Sequence, residues 1–227
     1  MHFQWLSGQW IFPDLQRILG PVEGRVLDVG CAAKPYARWA PHAKQWFGID
    51  VYDGPDVDAV VAPGESWPVA DGSFDVVLCA SMLSEVAELD ELVAEVERVL
   101  APGGVVVATV PFFFNEVKST EYWRFTREGI RRLLGRRLVV LEATSRGGIG
   151  TVLGVLFLNW TETTMMLSRS LSIASMALLP VRLLLAVVVN TLAPLLDRLD
   201  RTGMFYGATL VVAQKPAGAD RVTDHLA

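Results

Sequence analysis

Val26-Leu27-Asp28-Val29-Gly30-Cys31-Ala32-Ala33-Lys34-Pro35-Tyr36 is the stretch that decides how this chain folds. An apolar, β-type run ends in an acid and a glycine, and small residues then open a loop. A buried parallel strand delivers its chain to a nucleotide-type ligand at the carboxyl edge of a sheet in this way. Small side chains let the backbone come close to that ligand. The acid two residues before Gly30 puts negative charge where a phosphate-binding turn would rarely carry it. It suits a ligand with positive groups, an ammonium or a sulfonium.

Outward from this loop the pattern alternates. Gln45–Ile49 reads as a second strand closing on Asp50, and Ala59–Val61 as a short third. Asp71-Gly72-Ser73-Phe74-Asp75 is turn chemistry leading into the apolar run Val76–Ala80. Leu89–Leu100 places Leu89, Leu92, Val93, Val96, Val99 and Leu100 at helical spacing, with acids on the other face. Pro102-Gly103-Gly104 stops that helix, and Val105–Val110 is the next strand. Upstream, residues 3–19 read as an amphipathic helix entering the first strand, Arg25–Val29. Thr126 is placed to cap a helix over Arg127–Leu134, with Glu128 in the first turn favouring its dipole. Leu138–Ala143 and Ala208–Gln214 read as the last two strands. Strand and helix alternating with short turns predict a doubly wound, Rossmann-like α/β sheet. The expected plan is a core over 1–149, a hydrophobic helical insertion over 150–203, the core's final strand over 204–216 and a disordered polar tail over 217–227.

At 227 residues the chain makes one domain with room for such an insertion. A net charge of -5 argues against a nucleic-acid partner, which needs a basic face. The two cysteines, Cys31 and Cys79, sit at apparent strand ends and read as reduced thiols of a cytoplasmic protein. Met1 to Trp10 lacks a basic n-region and a continuous apolar run, which argues against a signal peptide. The mean hydropathy of +0.36 is high for a soluble domain, and the excess is concentrated in the insertion.

Four segments in this order, Leu27–Cys31, Gly48-Ile49-Asp50, Asp71–Val77 and Arg98–Gly104, together resemble the class I S-adenosylmethionine-dependent methyltransferases. A fifth, Glu121-Tyr122-Trp123-Arg124-Phe125-Thr126, is similar to an element common in the small bacterial type-11 group of that class. The resemblance covers residues 24–145 and the last strand. It implies a seven-stranded sheet with an antiparallel last strand, and S-adenosylmethionine as cofactor. It also implies that the cofactor is held by Asp28, Gly30, Cys31 and Ala32, by Asp50 and Val51, by Gly64 and Glu65, and by Cys79, Ala80 and Ser81. The residues themselves support part of this. Asp50 ends its strand where a carboxylate can take both ribose hydroxyls, a feature that nicotinamide enzymes share. A dinucleotide loop wants Gly-x-Gly-x-x-Gly, and only Gly30 is present. The chain departs from the family at Ala32 and Lys34, where glycine is usual. It departs again at Pro63, in place of an acid that meets adenine, and at Glu85, in place of a histidine.

His2, His42 and His225 fall away from the strand-end loops, so the candidate general bases are Glu85, Glu116 and Glu121. The more frequent role for Glu121 and Arg124 is an ion pair holding the loop, and Trp123 is more often core than a substrate platform. No cluster has metal-ligand spacing. Leu171–Leu196 is long enough to cross a membrane, but Pro180, Arg182 and Asn190 interrupt it, and if both flanking strands belong to one sheet a single crossing would strand the last of them across the membrane. Three readings of the insertion stay open. It is a helical lid on the sheet, a peripheral membrane contact through 152–200 on the inner face with Arg169, Arg182, Arg198 and Arg201 toward headgroups, or a homo-oligomer interface. The reading that follows is a methyltransferase acting on a small-molecule or lipid-linked acceptor. Its rival is a non-catalytic relative serving as an interaction or membrane scaffold; a nicotinamide oxidoreductase fits the loop poorly. The acceptor atom is not legible in the residues.

Overall fold

The computed structural model describes residues 5–116, 120–166 and 179–218. Its strands are β1 (Arg25–Val29), β2 (Gln45–Asp50), β3 (Ala59–Val60), β4 (Phe74–Ala80), β5 (Leu100–Pro111), β6 (Val139–Arg146) and β7 (Ala208–Gln214). They form one sheet in the order β3-β2-β1-β4-β5-β7-β6. β1 to β5 run parallel, and β7 is antiparallel to both β5 and β6. This is the seven-stranded sheet that the sequence resemblance implies. The chain reverses its direction of travel across the sheet between β1 and β4, which opens a crevice at the carboxyl ends of those strands.

Alternation along each strand sorts the core into two layers. Leu27 and Val29 join Val93, Val96 and Val99 of α2 (Leu89–Val99) and Ile130 of α3 (Arg127–Leu134) on one face. Val26 joins Leu15 and Leu19 of α1 (Trp5–Leu19) on the other. Leu15, Leu19, Leu27, Leu100 and Ile130 are wholly buried. Truncating any of them to alanine costs about 2–5 kcal/mol. Thr126 caps α3 as the sequence suggests, its hydroxyl accepting from Gly129 N at 3.0 Å.

The structure corrects several boundaries. β5 begins at Leu100, in the middle of what reads as the end of a helix. Leu100 pairs with Phe74, and the register then jumps so that Val105 pairs with Val76. Pro102-Gly103-Gly104 is therefore a bulge within a strand, not only a helix stop. Gly103 has φ +81°, and a Cβ on Gly104 would come within 3.0 Å of the Asp75 carbonyl oxygen. β4 starts two positions early, at Phe74, and β6 runs on to Arg146. Residues 1–4 and 219–227 lie outside the described residues, so the expected start at residue 3 and most of the expected disordered tail do too.

Among the described residues, two helices stand between β6 and β7, α4 (Ile149–Met166) and α5 (Leu179–Asp197). They pack on each other around Val155, Leu158, Ala186 and Ala193, with Phe114 of the loop after β5 inserted among them. At their base Asp197 accepts from Thr151 N at 2.9 Å and from the Thr151 hydroxyl. The helices meet so closely there that a Cβ on Gly150 would clash with the Ala193 backbone.

Candidate cofactor and acceptor site

The loop after β1 adopts left-handed backbone at Gly30 (φ 70°), Ala32 (φ 44°) and Lys34 (φ 47°). Only glycine takes this conformation without cost; an L residue pays roughly 1 kcal/mol or more. Ala32 and Lys34 stand where the resembled family has glycine, yet they keep a glycine-like path. Two carboxylates hold them there. Asp50 Oδ2 accepts from Ala32 N at 2.9 Å, while its Oδ1 accepts from Tyr52 N at 3.1 Å. Lys34 Nζ pairs with Asp58, whose same carboxylate accepts from Gly48 N at 2.6 Å. Gly48 makes the crossing of the lysine stem possible, since a Cβ there would run into Lys34 and come 2.6 Å from Cys31 Sγ.

Gly30 N and Cys31 N both donate to the Ile49 carbonyl, at 2.9 and 3.2 Å, which fastens the loop to β2. On the other side of the crevice Met82 sits against Gly30, where a Cβ would be 3.0 Å from Met82 Cβ. Ser81 has φ 61°, its amide donating to Thr109 O at 2.9 Å and its hydroxyl 3.2 Å from that of Thr109. The ends of β1, β2, β4 and β5 thus converge, and Asp28, Gly30, Cys31, Ala32, Asp50, Cys79, Ala80 and Ser81 share one edge of the sheet. Val51 follows them, half-exposed. Gly64 and Glu65 lie on an exposed turn after β3, where Glu65 Oε2 accepts from Ala62 N at 3.2 Å.

Asp28 faces the α1 side of the sheet and is 1% exposed. Trp46 Nε1 donates to its Oδ2 at 3.1 Å; its other oxygen takes no hydrogen bond among the described residues. Burial pushes its pKa up from 3.8 to about 6, against the Trp46 hydrogen bond and the Lys34 charge, while Asp50 adds to the rise. Burial also raises the Cys31 thiol to about 11 and the Cys79 thiol to about 12. Both cysteines are free and buried, which makes them inert core groups and not nucleophiles.

Beyond β4 and β5 the edge becomes apolar. Tyr122 N and Trp123 N donate to Ser84 O, and Trp123 Nε1 donates to Val86 O at 2.8 Å. Trp123 is 43% exposed, so it is a surface brace and not core. Arg124 Nη2 reaches Glu121 Oε2 at 2.6 Å and Asn115 O at 3.2 Å, tying the two limbs of this loop. Phe112 stacks on Tyr206 with centroids 4.7 Å apart, and Phe113 meets it edge-on at 4.6 Å. Of the candidate bases, Glu121 is held by Arg124, Glu85 follows Ser84 on a short helical turn, and Glu116 is exposed. His42 is exposed before β2, at the opposite end of the strands. Among the described residues no group of His, Cys, Asp and Glu could hold a metal ion.

Sequence reasoning missed Asp58, Gly48, Trp46 and Thr109, which brace the loop, the acid and the β4 end. The run Asp53-Gly54-Pro55-Asp56-Val57-Asp58 offered three acids in a turn-rich loop without saying which one faces Lys34.

This geometry fits an adenosyl-sulfonium ligand. Asp50 can accept hydroxyls at the end of β2, Asp28 has an open oxygen for a cationic group, and the loop backbone leaves room between them. The sheet order is the fold of the class I S-adenosylmethionine-dependent methyltransferases. Residues 27–108 match the family described as "Methyltransferase domain". Human thiol S-methyltransferase TMT1A is 32% identical over 131 residues, 49% of this chain and 50% of that protein. Human thiol S-methyltransferase TMT1B is 48% identical over 59 residues, 26% of this chain and 22% of that protein. The chain spans half or less of these curated relatives. A Haemonchus contortus phosphoethanolamine N-methyltransferase 2, solved in complex with S-adenosyl-L-methionine, shares the fold with a TM-score of 0.57 and 17% identity, over 94% of this chain and 56% of that one.

Proposed function

We propose that the chain transfers a methyl group from S-adenosylmethionine to a small, apolar acceptor whose nucleophile is a thiol. The observation that carries the transferase half is the braced loop: left-handed Gly30, Ala32 and Lys34, held by Asp50 and Asp58. When bound, the cofactor supplies a methyl group on a sulfonium, an electrophile that needs alignment and dryness more than acid catalysis. Asp50 takes the ribose hydroxyls, Asp28 the ammonium, and the turn at Gly64 and Glu65 borders the adenine with backbone groups because Pro63 brings no acid.

The acceptor half rests on the aromatic edge formed by Phe112, Phe113, Tyr122 and Trp123, with Arg124 holding the loop that carries it. A thiol ionises near pH 8.5 and is strongly nucleophilic as thiolate, so it does not demand a strong base. The curated relatives, both thiol S-methyltransferases, support this choice. A lipid-linked acceptor is the second reading, favoured by the exposed apolar residues on α4 and α5 beside the same loop.

The test is mass spectrometry of the purified protein with S-adenosylmethionine and matched sets of apolar thiols, phenols and amines. Methyl thioethers at a rate well above the protein-free control are expected. Methylation of phenols or amines but not thiols overturns the acceptor. Absence of S-adenosylhomocysteine binding at millimolar ligand overturns the transferase reading itself.

A further inference from the structure

The outer surface of α4 and α5 is not used by the proposed site. Of the 23 large hydrophobic residues exposed among the described residues, 14 fall between Leu153 and Phe205. Val181, Leu184, Val188, Leu192, Leu195 and Leu199 recur at helical spacing along one side of α5 and its extension, each 42% exposed or more. Every exposed residue from Pro180 to Leu196 is apolar except Thr191, and Thr191 donates its hydroxyl to Val187 O at 2.8 Å. The stripe thus presents no unsatisfied donor. Monomeric soluble proteins rarely expose continuous apolar surface on this scale unless something covers it.

We propose that this face docks on the interface of a phospholipid bilayer carrying anionic headgroups. Three observations select that occupant. Arg198 and Arg201 are exposed at the end of the stripe and make no ion pair among the described residues; the charged acids beside them are less exposed, Asp197 accepting from Thr151 N and Asp200 from Thr202 N, each at 2.9 Å. Exposed guanidinium groups beside an apolar stripe match anionic headgroups and acyl chains together. Trp160, 64% exposed, lies on the outer side of α4 with Phe157 at 6.2 Å, and an indole prefers the headgroup level.

The third observation separates lying on the bilayer from crossing it. Pro180–Asp197 is long and apolar enough to span, with only 11% of that window buried. The pair of helices is nevertheless fixed to the core at mid-length, by Asn159 Nδ2 donating to Asn115 Oδ1 at 2.6 Å and by Phe114 inserted between α4 and α5. One face is committed to the domain and the other is left for the bilayer. Phe113 faces Phe205 across 6.5 Å, so the docked surface is continuous with the aromatic edge after β5. An apolar acceptor dissolved in the bilayer would then reach the site without crossing water. The docking rests on this surface alone and stands or falls independently of the thiol reading.

The test is flotation of the full chain with phosphatidylcholine vesicles, with and without phosphatidylglycerol. The protein is expected to float with the anionic vesicles and to be released by high salt. V188E/L192E, at exposed positions, should keep the wild-type melting curve and bind at least tenfold more weakly, about 1.4 kcal/mol. R198E/R201E, which leaves the apolar stripe intact, should lose the preference for anionic vesicles. Wild type staying in the soluble fraction, or V188E/L192E floating as well as wild type, overturns the proposal. So does a dimer in light scattering that V188E/L192E dissociates and vesicles do not, which would assign the face to a second copy. Retention in membranes after alkaline carbonate washing would mark a span and overturn interfacial docking.

Discussion

Asp50 and Ala32, one ending β2 and the other in the loop after β1, are joined by a 2.9 Å hydrogen bond from the alanine amide to the carboxylate. Ala32 has φ 44°, a conformation that resists an alanine unless something outside the loop holds it. Asp50 therefore shapes the loop, and in the proposed site its remaining lone pairs are the ones offered to a ribose. A carboxylate has about four such acceptor sites, and two backbone amides occupy two of them.

Asp50→Ala should lower S-adenosylhomocysteine affinity by at least tenfold, about 1.4 kcal/mol, measured by calorimetry. Ala32→Gly removes the steric cost while keeping the amide, so it should bind at least as tightly as wild type. Unchanged affinity in Asp50→Ala would remove Asp50 from the site. Weaker binding by Ala32→Gly would show that the loop uses the methyl group.

Gly48→Ala should destabilise the fold by about 1–3 kcal/mol, the usual cost of forcing extra volume into a packed place. The new methyl group meets the Lys34 stem and Cys31 Sγ, and pushing the lysine aside breaks its pair with Asp58. Urea denaturation reads this as a lower midpoint with an unchanged slope. The double variant Gly48→Ala/Lys34→Ala should recover part of the loss. No recovery would mean that Cys31 alone carries the clash.

Asp28 predicts opposite pH trends for stability and for binding. Its pKa rises from 3.8 to about 6 on folding, chiefly through burial. The native state thus holds the proton more tightly than the unfolded chain. The stability this contributes is complete below pH 3.8 and is lost as pH rises through about 6. By neutral pH the loss approaches about 3 kcal/mol. Asp28→Asn should abolish this part of the slope in urea titrations across the acid range. A cationic ligand group needs the carboxylate, so S-adenosylhomocysteine affinity should fall about tenfold per pH unit below that value, and stay flat in Asp28→Asn. Equal affinity in wild type on both sides of the transition would sink the contact.

Most of the sheet was legible because its strands are short apolar runs bounded by turn residues, and because Asp28 and Asp50 mark strand ends. Thr126 and the Glu121–Arg124 pair were legible too, since both depend on spacing within one turn. What was hidden depended on partners remote in sequence. Ala32 and Lys34 look like departures from a glycine loop until Asp50 and Asp58 are seen holding them in a glycine-like path. Leu100 carries both helix periodicity and strand pairing, and only its register with Phe74 decides between them. In α5, residues are apolar almost all round, so periodicity could not say which side Phe114 would cover and which would remain exposed.

Arg124 offers a way to separate the two halves of the site. Its guanidinium reaches Glu121, the Asn115 carbonyl and, at 3.1 Å, the Trp123 carbonyl, so it organises the loop proposed to meet the acceptor. Arg124→Ala leaves Glu121 10% exposed at its side chain without this partner, and the loop loses its tie to Asn115. Affinity for S-adenosylhomocysteine should stay within about twofold of wild type while acceptor kcat/KM falls about tenfold, roughly 1.4 kcal/mol of transition-state stabilisation. The fall should appear mainly in KM, because a loosened loop weakens ground-state and transition-state contacts alike. Arg124→Lys keeps the charge but not the forked donor, so it should recover only part of the loss. A matching fall in cofactor affinity would place Arg124 in the cofactor half and redraw the boundary between the two.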